Sequence, residues 1–210
     1  MATDDGIKAD LVEFYDTRAA ERAASTLRPD RSEARATFVG ALANLATKTI
    51  VDIGIGAGQD ALAMIEAGFD IVGVDLSWEH CRWAVRRGAA AAVADFYSLP
   101  FAPASIDAAW CASAYIHVPA DHLGQVLAET RRVLRTGAVL MIGVWCGEES
   151  EGVRVEGTVR RFYSIKTAGQ WLDLVRAYFD VERWWTDDSD PEEDYLWCLV
   201  RAVATAADEF

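Results

Sequence analysis

Gly54, Gly56 and Gly58 stand at every second position behind a short β-branched run, Ile50, Val51 and Ile53, that carries Asp52 inside it. A buried strand that passes through glycines into a helix start brings bare backbone and free N–H groups up to a ligand, the usual cradle for a nucleotide. The loop alone leaves the nucleotide open. The dinucleotide pattern Gly-x-Gly-x-x-Gly fails in the register from Gly54, where Gln59 takes the last place, and is met in its looser form from Gly56 to Ala61. Asp75 closes the next apolar run, 19 residues after Gly56. A carboxylate at that place can take both hydroxyls of an adenosine ribose, in a nicotinamide dinucleotide or in another adenosyl compound. Further on, His117 follows a fourth apolar run, and an imidazole on such a loop suits removal of a proton from an acceptor near neutral pH.

Asp52-x-Gly54-x-Gly56-x-Gly58 resembles motif I of the class I S-adenosylmethionine-dependent methyltransferases, in particular those acting on small molecules. The resemblance implies that the loop runs along the methionine end of S-adenosylmethionine, leaving S-adenosylhomocysteine as product. It implies a cofactor-binding set of Asp52, Gly54, Gly56, Gly58, Asp75, Leu76, Asp95, Phe96 and Cys111, with Asp95 on the adenine amine and Phe96 covering the base. Phe14-Tyr15-Asp16-x-x-Ala19 resembles the Tyr-Asp-x-x-Ala segment that opens many of these enzymes, which adds Tyr15. The second tyrosine of that segment is missing, since Arg22 and Ala23 lie in its region.

Departures fall on the acceptor side. The fourth strand ends in Trp110-Cys111-Ala112-Ser113, where methyltransferases of nucleic-acid or glutamine nitrogens carry an Asn-Pro-Pro-Tyr type motif. No metal-ligand spacing is present, so no metal is expected. His117 is the candidate general base; Ser113, Tyr115, Trp145, Arg161 and Tyr163 are the candidate substrate-binding residues. Arg160 and Arg161 beside Phe162 and Tyr163 could hold a carboxylate on the acceptor. His80 and His122 read as surface residues.

The elements that must position these groups alternate. Two helices come first, over 9–23 and from an N-cap at Ser32. Strands at 50–55, 70–76, 91–95, 105–111 and 138–145 then alternate with helices after Gln59, Ser77 and Asp121. A helix from Ser164 leads to strand-like runs 181–186 and 196–202, joined by an acidic loop too short for a crossover, so these two pair antiparallel. The expected fold is α/β: a doubly wound, mostly parallel, seven-stranded Rossmann-like sheet with an antiparallel C-terminal hairpin strand. One domain spans 1–210, divided into a helical lid or buttress (1–47), a cofactor-binding core (48–147) and a C-terminal helix and hairpin (148–210).

Composition sets outer bounds. A chain of 210 residues, 52% hydrophobic and 25% charged, buries a sizeable core. A net charge of −13 without a basic stripe argues against nucleic acid. The first residues have neither a basic nor an apolar targeting region, and no apolar run is long enough for a membrane. Cys81, Cys111, Cys146 and Cys198 are scattered and read as reduced thiols in a cytoplasmic protein.

The expected function is methyl transfer from S-adenosylmethionine to oxygen or nitrogen of a small-molecule acceptor, by a monomer or homodimer. Two alternatives share parts of the pattern. One is an NAD-dependent oxidoreductase; the other is a protein of the same fold that binds the cofactor without transferring its methyl group.

Overall fold

A computed structural model describes residues 4–43, 45–188 and 194–204. The run Thr49–Ile53 forms β1, buried at every position but the first, at the heart of a seven-stranded sheet. Its neighbours are β2 (Asp70–Asp75) and β4 (Ile106–Ala112), both parallel to it. With β3 (Ala90–Val93), β5 (Leu134–Cys146), β8 (Phe179–Asp187) and β9 (Asp194–Ala202), the order is β3-β2-β1-β4-β5-β9-β8. The chain winds outward from β1 to β3 and returns to β4 beside β1. Order therefore reverses between β1 and β4, and the loops at the carboxyl ends of these strands part to leave a crevice.

Pairing of β9 is antiparallel with both β5 and β8, as the short acidic connection requires. The tip of that connection lies outside the described residues.

Helices cover both sheet faces, because each face carries its own apolar set. On one, α2 (Asp30–Leu42), α3 (Gln59–Glu66) and α4 (Trp78–Arg86) pack Phe38, Met64 and Ala84 over Ile50, Trp110 and Trp197. On the other, α5 (Leu123–Val133) and α6 (Ala168–Arg176) pack Leu127, Trp171 and Val175 over Val51, Leu140 and Val200. No helix among the described residues is long and apolar enough to cross a membrane.

Two sequence expectations shift. Ser32 does not cap α2; the helix starts at Asp30 behind Pro29, and the Ser32 hydroxyl accepts from Arg35 instead. The last helix does not start at Ser164. Residues Ser150–Glu156 (β6) and Val159–Ile165 (β7) form a separate two-stranded antiparallel sheet around Gly157, and α6 begins only after a capping box at Thr167 and Gln170. The two N-terminal helices, expected as a lid or buttress, pack in different places. Whereas α2 belongs to a core layer, α1 (Asp4–Ala24) packs Ile7 and Leu11 against Phe162 of β7 and crosses to α4. There Asp16 Oδ1 accepts from the Ser77 hydroxyl (2.5 Å) and from Glu79 N (3.1 Å), adding a second cap to α4.

Candidate functional site

A cleft of about 990 Å³, counting space open to solvent, lies at the carboxyl ends of β1, β2 and β4 beneath α1. Its floor is the glycine loop. Gly54 N and Ile55 N both donate to Val74 O, strapping the loop to β2. Gly56 adopts φ +55°, and a side chain there would project into open space, so the bare backbone faces the cleft. Gly56 N donates to Asp75 Oδ2 (2.8 Å) and Ser77 N donates to Asp75 Oδ1 (2.9 Å). One carboxylate thus ties the β1 loop to the start of α4 and keeps lone pairs for a ligand.

Beside the loop, Asp52 is 1% exposed and its Oδ2 has no hydrogen-bond partner. Burial, with Asp60 nearby, pushes its carboxyl well above the usual range, against the pull of Arg31. Asp60, in the first turn of α3, accepts from Arg31 and Arg35 of α2. Arg31 also donates to Ser113 Oγ (3.0 Å), which contacts the Tyr195 hydroxyl (2.8 Å). Ser113 holds φ +62°, a strained conformation that these contacts fix at the end of β4.

The opposite wall carries Leu76, Ala94 and Phe96. Asp95 is half-buried and turned toward α1, where it pairs with Lys8 Nζ at 2.7 Å, and it accepts from Tyr97 N.

Above the loop, the Tyr15 hydroxyl lies 2.7 Å from His117 Nε2. His117 Nδ1 sits 2.7 Å from the Phe162 carbonyl, an acceptor only, so Nδ1 carries the proton and Nε2 accepts from Tyr15. Arg161 packs behind both, 8% exposed, with its guanidinium within 5.1 Å of the ring centres of Phe14, Tyr15 and Tyr163. Burial, then the charge of Arg161, lowers the His117 pKa to about 3. Burial raises that of Tyr15 despite Arg161.

Residues 50–137 match the methyltransferase domain family. That stretch holds the glycine loop, Asp75, Asp95 and His117. No protein with a curated description matches the chain in sequence. Among solved structures, Burkholderia thailandensis 1,6-didemethyltoxoflavin-N1-methyltransferase, with bound 1,6-didemethyltoxoflavin and S-adenosylhomocysteine, is similar over 97% of this chain and 92% of that one, at 21% identity and a TM-score of 0.79. The DhpI–S-adenosylhomocysteine complex is similar over 97% and 100%, at 18% identity and a TM-score of 0.72. The [4+2]-cyclase SpnF is similar over 97% of both chains, at 18% and 0.71. At these identities the likeness speaks for the fold.

The cleft gathers Tyr15, from outside the matched stretch, with Asp52, Gly54, Gly56, Asp75, Leu76, Phe96, Ser113 and His117 from within it. Several other expected site residues stand off its wall. Gly58, at φ +77°, lets α3 approach α4, since a Cβ there would lie 2.8 Å from Ala84 Cα. Cys111 is buried in the core, and burial raises its pKa, which makes it inert. Tyr115 is fully buried and bonds Thr130 Oγ1 at 2.7 Å, a packing role. Trp145 packs on Tyr195 and Arg28, while Tyr163 and Arg161 form the layer behind His117.

His117 does reach the wall; its Nε2 accepts from Tyr15, and burial with the charge of Arg161 holds its pKa near 3.

Arg22, Arg31, Asp60, His80 and Trp110 line the cleft without having been anticipated. His80, expected at the surface, is 3% exposed. Its signal was the stripe Ser77, His80, Cys81 and Ala84, one buried face of α4. Arg31 had no such signal, because its place in α2 emerges only from where the helix starts.

Proposed function

We propose that the protein transfers a methyl group from S-adenosylmethionine to oxygen or nitrogen of a small-molecule acceptor. One observation carries the assignment: a glycine loop pinned by Asp75, beside a buried Asp52 oxygen with no partner, all inside the region that matches the methyltransferase domain. The residues fit the cofactor. Asp75 keeps lone pairs for a ribose, Phe96 offers a face to a base, and the orphaned Asp52 oxygen suits a cationic amino-acid tail. The bound S-adenosylhomocysteine of the Burkholderia enzyme and of DhpI supports this assignment. An oxidoreductase function finds no support in these matches.

When bound, S-adenosylmethionine supplies an electrophilic methyl group on a sulfonium. The chain's own part is to exclude water and to hold the acceptor in line. Tyr15 is the residue we assign to the acceptor. Its proton is committed to His117, which leaves an oxygen lone pair free to accept a hydrogen bond from an acceptor hydroxyl or amine. His117 and Arg161 act through Tyr15, as positioning residues. Four free, buried cysteines fit the cytoplasm as working compartment.

Calorimetric titration with S-adenosylhomocysteine and, separately, NADH tests the assignment. Binding of the former alone is expected. Binding of NADH with none of S-adenosylhomocysteine would overturn it.

A further inference from the structure

His80 is a cleft residue whose chemistry the assignments above do not use. The ring lies on the cleft wall, 3% exposed, and neither nitrogen has a hydrogen-bond partner. Buried polar groups in folded proteins almost always find partners, so two unmet sites on one ring mark a group waiting for a ligand or water. Backbone capping does not explain it, because that role falls to His80 N, which donates to Ser77 Oγ at 3.0 Å. The ring stands 5.0 Å from that of Tyr15, and Nδ1 stands 3.5 Å from Asp75 Oδ1.

On the assignment of the cleft to an adenosyl cofactor, we propose that His80 shares the ribose diol with Asp75. The carboxylate beside Nδ1 keeps the ring proton there, so Nε2 presents a lone pair. Each Asp75 oxygen already accepts one backbone N–H, from Gly56 or from Ser77. A vicinal diol has two O–H donors. One donates to Asp75 and the other to His80 Nε2, which meets the orphaned site and divides the diol between two acceptors. Tyr15, its ring centre 5.0 Å away and tilted by 48°, packs beside the imidazole. His80 is thereby a cofactor-binding residue in the first turn of α4, five residues after Asp75.

Calorimetry on the full chain tests this, with S-adenosylhomocysteine, adenosine, 2′-deoxyadenosine and 3′-deoxyadenosine as probes, for wild type, His80→Phe and His80→Gln. Wild type should bind adenosine about tenfold tighter than at least one deoxy compound, the effect of one hydrogen bond. His80→Phe should bind S-adenosylhomocysteine about tenfold more weakly and lose the discrimination against that compound, and His80→Gln should recover part of both. Without ligand, the Phe variant should melt no lower than wild type, because no existing hydrogen bond is removed. Equal losses for adenosine and both deoxy compounds would overturn the inference, as would unchanged binding of S-adenosylhomocysteine by His80→Phe. If that variant does not fold, full wild-type discrimination in His80→Leu, which has no acceptor, overturns it equally. A wild type silent toward every probe would instead sink the cofactor assignment, and this inference with it.

Discussion

The Tyr15 hydroxyl donates to His117 Nε2 at 2.7 Å, and this contact makes an anchor of a residue whose type and position suggest a base. The imidazole is turned by Phe162 O on one side and used by Tyr15 on the other. The rate of methyl transfer should therefore show no ionisation near pH 6.5 belonging to His117. His117→Gln, whose amide can still accept from Tyr15, should keep most activity, while His117→Ala should lose roughly 10–100-fold through misplaced Tyr15. A pH–rate profile of each variant checks this; loss of an acidic limb in His117→Gln would restore the base.

Acid stability follows from the same ring. The folded protein holds His117 neutral down to about pH 3, whereas the unfolded chain protonates near 6.5. Between those values the unfolded state binds more protons, so this contribution to stability is whole above pH 6.5 and is lost as pH falls toward 3. Thermal melts at a series of pH values should fall more shallowly across that window for His117→Gln than for wild type.

Asp52 titrates in the opposite sense. Its folded pKa is raised, so its contribution is whole below the unfolded value, about 3.9, and is lost as pH rises through the folded one. Without ligand, Asp52→Asn should melt a few degrees higher at neutral pH, the shift that about 1 kcal/mol produces in a chain of this size. The gain should vanish below pH 3.9. The same variant should bind S-adenosylhomocysteine more weakly, by about 1.5–3 kcal/mol, as a charge-assisted bond is lost.

Lys8 and Asp95 form a pair about one-quarter exposed, which contributes ~0–1 kcal/mol to stability. It also occupies the carboxylate expected to meet the adenine amine. Lys8→Ala should leave the melting temperature within two or three degrees, and should speed association of S-adenosylhomocysteine. Stopped-flow binding measures the latter; slower association would show that Lys8 assists the ligand instead of competing with it.

Gly56 and Gly58 share a left-handed backbone and differ in what faces them. Gly58→Ala puts a methyl 2.8 Å from Ala84 Cα and should cost about 2–3 kcal/mol of stability while the folded fraction still binds ligand. Gly56→Ala meets no atom within 4 Å, so it should cost only about 1–2 kcal/mol of strain and weaken ligand binding by tenfold or more. Chemical denaturation and titration side by side separate the two.

Much of the fold was legible because its signals are local. The β-branched run ending at Asp52, the glycine turn, the Ser77 cap and the acidic hairpin each state a backbone preference within a few residues. So the sequence by itself determined the sheet, the glycine loop and the acidic residue at the end of β2. Tertiary structure decided which side chains meet in the cleft. Tyr15 and His117 are 102 residues apart, and Arg31 and Ser113 are 82 apart. Periodicity cannot announce such pairs, because each residue type also serves an ordinary helix face or loop. The β6–β7 hairpin was missed because Gly157-Thr158 marks its turn only faintly, yet it supplies both Phe162 O and Arg161. Whether a histidine is a base depends on burial and neighbouring charge, and these exist only once distant segments pack.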